Sequence, residues 1–183
     1  MAAKPPLTIE TLLSLAIQHV NLGQREQARL LCEHALNEFP PHPAVQQLLG
    51  VLAMQAGKPA EAARYAAASL ALRPDHPPTV QLAGEAWFQV SLQRQDAGDL
   101  AGAAQALREV VRLMPGRAEA EVNLGIVLQE SGSIDEALQA YGRGYRLRED
   151  TFGRIAHALA TPKTGRLWLR LDDLRATLTI HSS

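Results

Sequence analysis

The side chains in this 183-residue sequence best equipped for chemistry at neutral pH are six histidines, one cysteine and one adjacent pair of aspartates. His19, His34, His42, His76, His157 and His181 could ligate a metal or move a proton, and Cys32 could act as a nucleophile. Asp172-Asp173 could form an acid–base pair. Their spacing supports none of these roles. No HExxH run occurs and no paired cysteines exist to complete a metal site. Cys32 sits among Leu30, Leu31 and Ala35 at an inward position of an amphipathic stretch, where a thiol serves as packing. Asp172-Asp173 opens an apolar-periodic stretch and reads as a helix cap. His42 and His76 each precede a proline at a spacing of 34, which is a phase marker rather than ligand geometry. Gly142-Arg143-Gly144 falls inside a helical pattern, and the chain has neither a P-loop nor a glycine-rich dinucleotide turn. The sequence therefore predicts no catalytic residue, no cofactor and no metal, and a chain that is not an enzyme.

Composition narrows the remaining roles. The chain is 46% hydrophobic but only 4% aromatic, a balance suited to close-packed helices. Its formal net charge of −1, with basic residues scattered among acids, gives no reason to expect nucleic acid or an anionic membrane as partner. Arginine (15) far outnumbers lysine (3), which points to a GC-rich, bacterial source. One cysteine cannot form an internal disulfide. Met1 to Glu10 lacks the apolar run of a signal peptide, and no window approaches the ~18 apolar residues of a membrane span. The expected location is the cytoplasm.

What must position any functional surface is a repeat. Gly23, Gly57, Gly98 and Gly132 follow amphipathic stretches at separations of 34, 41 and 34 residues. Five residues after each stands an alanine: Ala28, Ala62, Ala103 and Ala137. Pro40, Pro74 and Pro115 close three units in the same rhythm. Each mark has a physical reason. Glycine lets the chain leave a helix with φ > 0, alanine lets a second helix approach the first, and proline ends that second helix. Ser133 and Glu136 read as a capping box.

These units resemble the tetratricopeptide repeat (TPR) family, whose repeat has ~34 residues and a helix–turn–helix form. The residues that carry the resemblance are Leu15-Ala16, Gly23, Ala28, Ala35 and Pro40 in the first unit, and Leu49-Gly50, Gly57, Ala62 and Pro74 in the second. In the third they are Trp87, Gly98, Ala103 and Pro115, and in the fourth Leu124-Gly125, Gly132, Ala137 and Tyr141. Two departures are Ser91, where a glycine or alanine is usual, and the missing proline of the fourth unit. The implied fold is all-α, a right-handed α-solenoid of four helical hairpins with a C-terminal capping helix. Its organisation would be an N-terminal extension (1–8), an array over 9–151 (units 9–42, 43–76, 77–117 and 118–151), and a capping helix with an amphipathic tail (152–183). The seven extra residues Pro77 to Ala83 make two helical turns, so they predict a long helix from about Thr79 to Ala97 rather than a loop. Phe152 to Ala160 is expected to cap the array, with Phe152, Ile155 and Leu159 on one side. In the tail, Leu167, Leu171, Leu174 and Leu178 fit a helix, while Leu167, Leu169 and Leu171 also fit a short strand before a helix near Asp172.

The resemblance implies a binding groove lined by the first helix of each hairpin. Its residues would be Leu13, Ile17 and Asn21 from the first unit, and Gln47, Val51, Met54 and Gln55 from the second. Phe88, Leu92, Gln95 and Asp96 would come from the third, and Val122, Ile126, Gln129 and Glu130 from the fourth. The eight apolar members at ~50 Å² each would form a patch of ~400 Å², large enough to mean that something binds. An amphipathic helix or extended peptide of another protein is the expected partner. Leu13 and Ile17 stand where chaperone-tail clamps carry Lys and Asn, which argues against that role. Two alternatives are a regulatory or targeting module of a bacterial enzyme, fused or neighbouring, and a homo-oligomer whose tail enters the groove.

Overall fold

The structure, a computed structural model, describes residues 8–160 and 171–180. Among them the regular elements are all helical. They comprise α1 (Ile9–Asn21), α2 (Arg25–Glu38), α3 (Pro43–Gln55), α4 (Pro59–Leu72), α5 (Pro77–Asp96), α6 (Leu100–Leu113), α7 (Ala118–Glu130), α8 (Ile134–Leu147), α9 (Phe152–Ala160) and α10 (Leu171–Ile180). The packing divides the chain into two compact units, 1–86 and 87–183, with the division inside α5.

The repeat marks act as their chemistry requires. Gly23, Gly57, Gly98 and Gly132 all adopt left-handed φ, between +70° and +86°. Each is followed by a Schellman bond, such as Lys58 N–H to the Ala53 carbonyl (2.9 Å) and Ser133 N–H to the Leu128 carbonyl (2.8 Å). Ala28, Ala62, Ala103 and Ala137 are each fully buried. In the first unit α1 packs on α2 and α3 on α4, around Leu12, Ala16, Cys32, Val45 and Leu49. In the second, α7 packs against both α6 and α8 around Leu107, Val110, Leu124, Leu138 and Tyr141.

The third first-helix is long, as its inserted residues predict: α5 has 20 residues where α1, α3 and α7 have 13. It starts two residues earlier than expected because prolines are tolerated in a first turn, where N–H groups lack partners anyway. The hydroxyl of buried Thr79 and His76 Nδ1, 2.9 Å apart, tie this end down. Ser91, the departure from the small-residue pattern, is buried and donates its hydroxyl to the Phe88 carbonyl at 2.6 Å.

The capping box does not form. Ser133 makes no side-chain bond to α8, and Glu136 instead accepts from Arg108 Nη2 at 3.1 Å. Asp99 has nearly the same backbone (φ −79°, ψ 72°) as Ser133 (φ −83°, ψ 64°), yet it caps Gly102 N–H at 2.8 Å. The aspartate is one bond longer and reaches; the serine hydroxyl does not.

In place of the missing fourth proline, the chain turns through a 3₁₀ segment, Glu149–Thr151, where the buried Thr151 hydroxyl donates to the Arg148 carbonyl at 2.7 Å. The expected capping helix follows as α9, whose Ile155 and Leu159 enter the core of the second unit. Leu167 and Leu169, on which a short strand would depend, lie outside the described residues. From Leu171 to Ile180 the chain is helical, Asp172 and Asp173 fall in the first turn, and Leu174 and Leu178 are buried where α10 packs on α8 and α9.

Candidate partner-binding grooves

In the first unit, α1 and α3 bring Leu13, Ile17, Ala44, Gln47, Leu48 and Val51 around an open cavity of about 210 Å³. Leu12 and Ala16 hold the adjoining face of α1 in the core, and this leaves Leu13 half-buried and Ile17 46% exposed. No ionisable side chain lines the cavity, so it selects for apolar surface rather than charge. Met54 is half-buried, while Asn21 and Gln55 are exposed. Gln55 Oε1 accepts from Arg25 Nε at 3.0 Å. Four of the seven residues expected from these two helices thus share one pocket. Ala44 and Leu48 were missed, although 44, 47, 48 and 51 follow the helical face spacing that could have found them.

In the second unit the expected residues separate. Phe88, Leu92, Gln95 and Ile126 are half-buried, while Asp96 and Glu130 are exposed. The Arg117 guanidinium lies 4.3 Å from the Phe88 ring centroid, a cation–π contact that partly roofs the ring. Gln95 Nε2 donates to Glu130 Oε2 at 3.0 Å.

Val122 and Gln129 require correction, because both are buried. Val122 belongs to the core, where its γ-methyl occupies the space beside Gly144. Gln129 donates to the Ala158 carbonyl at 2.8 Å, and its Oε1 accepts from the Tyr141 hydroxyl at 3.0 Å. α9, packed against α7, takes the Gln129 position out of the surface, and α8 takes Val122. The ~400 Å² estimate loses Val122 accordingly.

Among the described side chains, the reactive groups do not converge. Cys32 is buried, and desolvation, helped by the nearby Glu33 charge, pushes its thiol up to about 11. Among the described residues no cluster of three metal-ligating side chains exists. Nor is any described helix long and apolar enough to cross a membrane.

With this geometry in hand, the class is plain. Tetratricopeptide repeat family models match residues 13–77 and 95–160, and the chain belongs to that family. It is 36% identical over 75 residues to Tetratricopeptide repeat protein 8 of Caenorhabditis elegans, covering 41% of this chain and 15% of that protein. It is 33% identical over 92 residues to the probable biofilm formation methyltransferase WspC of Pseudomonas putida, covering 50% of this chain and 20% of that protein. The chain therefore spans no more than a fifth of either curated relative. Among solved structures, it resembles MamA with a TM-score of 0.55 at 18% identity, over 91% of this chain and 89% of that one. It resembles YrrB, described as a TPR protein with an unusual peptide-binding site, with a TM-score of 0.52 at 20% identity, over 82% of this chain and 74% of that one. These likenesses concern the fold.

Proposed function

We propose that the chain is a protein-interaction module, an adaptor that receives an apolar or amphipathic segment of another protein, and that it performs no catalysis of its own. The observation that carries this reading is the uncharged α1–α3 pocket, with Ile17 standing 46% exposed at its edge in a chain of the TPR family. A helical or extended peptide would place one apolar side chain among Leu13, Ile17, Leu48 and Val51, and its polar backbone or side chains against Gln47, Asn21 and Gln55. Phe88, Leu92 and Ile126, flanked by Gln95, Asp96 and Glu130, form the corresponding contact surface of the second unit. The peptide-binding description of YrrB is in keeping with such a role. We assign the array to 9–151 and the cap and tail to 152–183, and take the cytoplasm as its compartment.

The test is a crosslinking pull-down from native lysate with wild type, Ile17→Glu and Phe88→Glu. A protein retained by wild type and lost from the charged variants, with helicity unchanged, supports groove binding. Identical captures by all three would move the binding surface elsewhere.

A second reading, the targeting or regulatory module of a bacterial enzyme, is favoured by the 92-residue likeness to a protein named as a methyltransferase. A catalytic domain in the same gene product, or a transferase that co-purifies, would support it. Self-association through the tail is weaker, since α10 already buries Leu174 and Leu178 within its own unit.

A further inference from the structure

The α5–α7 face of the second unit sets apolar and acidic side chains at one spacing. Leu92 and Asp96 on α5, and Ile126 and Glu130 on α7, are each four residues apart. On both helices a carboxylate therefore follows an apolar side chain by one turn, ~6 Å. Gln95 Nε2 donates to Glu130 Oε2 at 3.0 Å and brings the two helix ends into register. In the first unit the matching pairs are Ile17 with Asn21 and Val51 with Gln55, so the same turn is neutral there.

Neither acid is matched by a base. Elsewhere in the second unit Asp99, Glu109, Glu119, Glu136, Asp150 and buried Glu121 each lie between 2.8 and 3.9 Å from an arginine. Asp96 and Glu130 are exposed and have no ion pair among the described residues. Each is the last residue of its helix, where the carbonyl end of the helix already carries negative potential. Neighbouring guanidiniums are engaged elsewhere. Arg117 lies on the Phe88 ring at the start of α7, Arg154 donates to Asn123 Oδ1 at 2.8 Å, and Arg94 stands 3.9 Å from Asp99.

Resting on the groove reading above, we propose that the second unit selects a basic amphipathic segment of its partner. One apolar side chain of that segment lies against Phe88, Leu92 and Ile126, and a lysine or arginine one turn further on places its charge between Asp96 and Glu130. The methylene stem of the base covers the apolar strip while its head reaches the carboxylates. An acidic segment would set a third negative charge against two that have no base. A purely apolar one would strip water from both carboxylates and return no hydrogen bond.

The probe is a displayed library of random dodecapeptides selected on the immobilised full chain, with the enriched peptides synthesised and titrated by fluorescence anisotropy. Their sites are mapped by amide chemical shifts of the ¹⁵N-labelled chain. The expected peptides carry lysine or arginine three or four residues from a large apolar residue and shift amides of α5 and α7. The double variant Asp96→Asn/Glu130→Gln, at exposed positions, should bind them at least ~5-fold more weakly. Replacing the peptide's base by glutamine should cost as much, and combining the two changes should add nothing further. Raising salt from ~50 to ~500 mM should weaken wild type and leave the double variant unaffected. Peptides that shift α5 and α7 without carrying a base, or equal binding by the double variant, would overturn the basic partner and leave the groove reading standing. Shifts away from α5 and α7, or no enriched peptide at all, would overturn the second-unit groove itself.

Discussion

Gly125→Ala tests whether the close helix packing of the second unit is as tight as the structure indicates. A Cβ built on Gly125 overlaps the ring of Tyr141, meeting Cδ1 and Cε1 before any other atom. Tyr141 is fully buried and has nowhere to retreat, because its hydroxyl is anchored on Gln129, which in turn holds the Ala158 carbonyl. Two terms oppose each other. Alanine stabilises a helix interior over glycine by ~1 kcal/mol. Forcing the ring aside costs ~1–3 kcal/mol of overpacking, and breaking the Tyr141–Gln129 bond adds ~1 kcal/mol. The expected net is a loss of ~1–3 kcal/mol. Gly50→Ala is the control: its new Cβ meets Leu82 Cδ2 at 2.9 Å, the flexible end of a side chain, and the Ala62 carbonyl at 3.4 Å. There the helix-propensity gain and the small adjustment should cancel to within ~0.5 kcal/mol. Urea unfolding followed by circular dichroism, with hydrogen exchange to localise the weakened unit, reads both. A Gly125→Ala protein as stable as wild type, or a Gly50→Ala protein that loses more, would refute the packing argument.

Other outcomes follow from the same geometry. Gly57→Ala meets no atom within 4 Å but keeps φ at +70°, so it should cost ~1–2 kcal/mol of backbone strain alone, measurable in the same unfolding assay. Leu178→Asp places a charge in the seat of α10 and should release that helix, giving protease cleavage after Ala160 while α1–α8 stay folded. Cys32, with its thiol pushed up to about 11, should resist thiol reagents at neutral pH until the chain unfolds. Folding favours the neutral thiol, so its stabilising contribution is full below the unfolded value of ~8.5 and declines as pH rises towards the folded one. Wild type should therefore lose more thermal stability than Cys32→Ala between those limits.

Much of the fold was legible because the repeat marks are local. A left-handed glycine, a fully buried alanine and a terminating proline each act within a few residues, and four in-phase copies fix the hairpins. The long α5 followed from counting seven residues as two turns. What was not legible depends on tertiary partners. Gln129 and Val122 looked like groove residues because their positions in α7 match those of Met54 and Gln47 in α3, but the Ala158 carbonyl of α9 takes the Gln129 amide and Val122 packs beside Gly144 of α8. Ser133-Glu136 spelled a capping box, yet Arg108 from another helix claims the glutamate. Ala44 and Leu48 share the face of Val51, and recognising them needed only the helical spacing. Glu121 carried no sequence signal at all, since its burial arises where three helices meet.

The central claim is that a partner segment lies in the groove between α1 and α3. The most direct test installs a photo-crosslinking amino acid at Ile17 in that groove and, separately, at Leu30 on α2, a similarly exposed apolar position. Irradiation in native lysate should give a discrete adduct from position 17 and none from position 30. Adducts of equal yield from both positions, or from position 30 alone, would contradict groove binding.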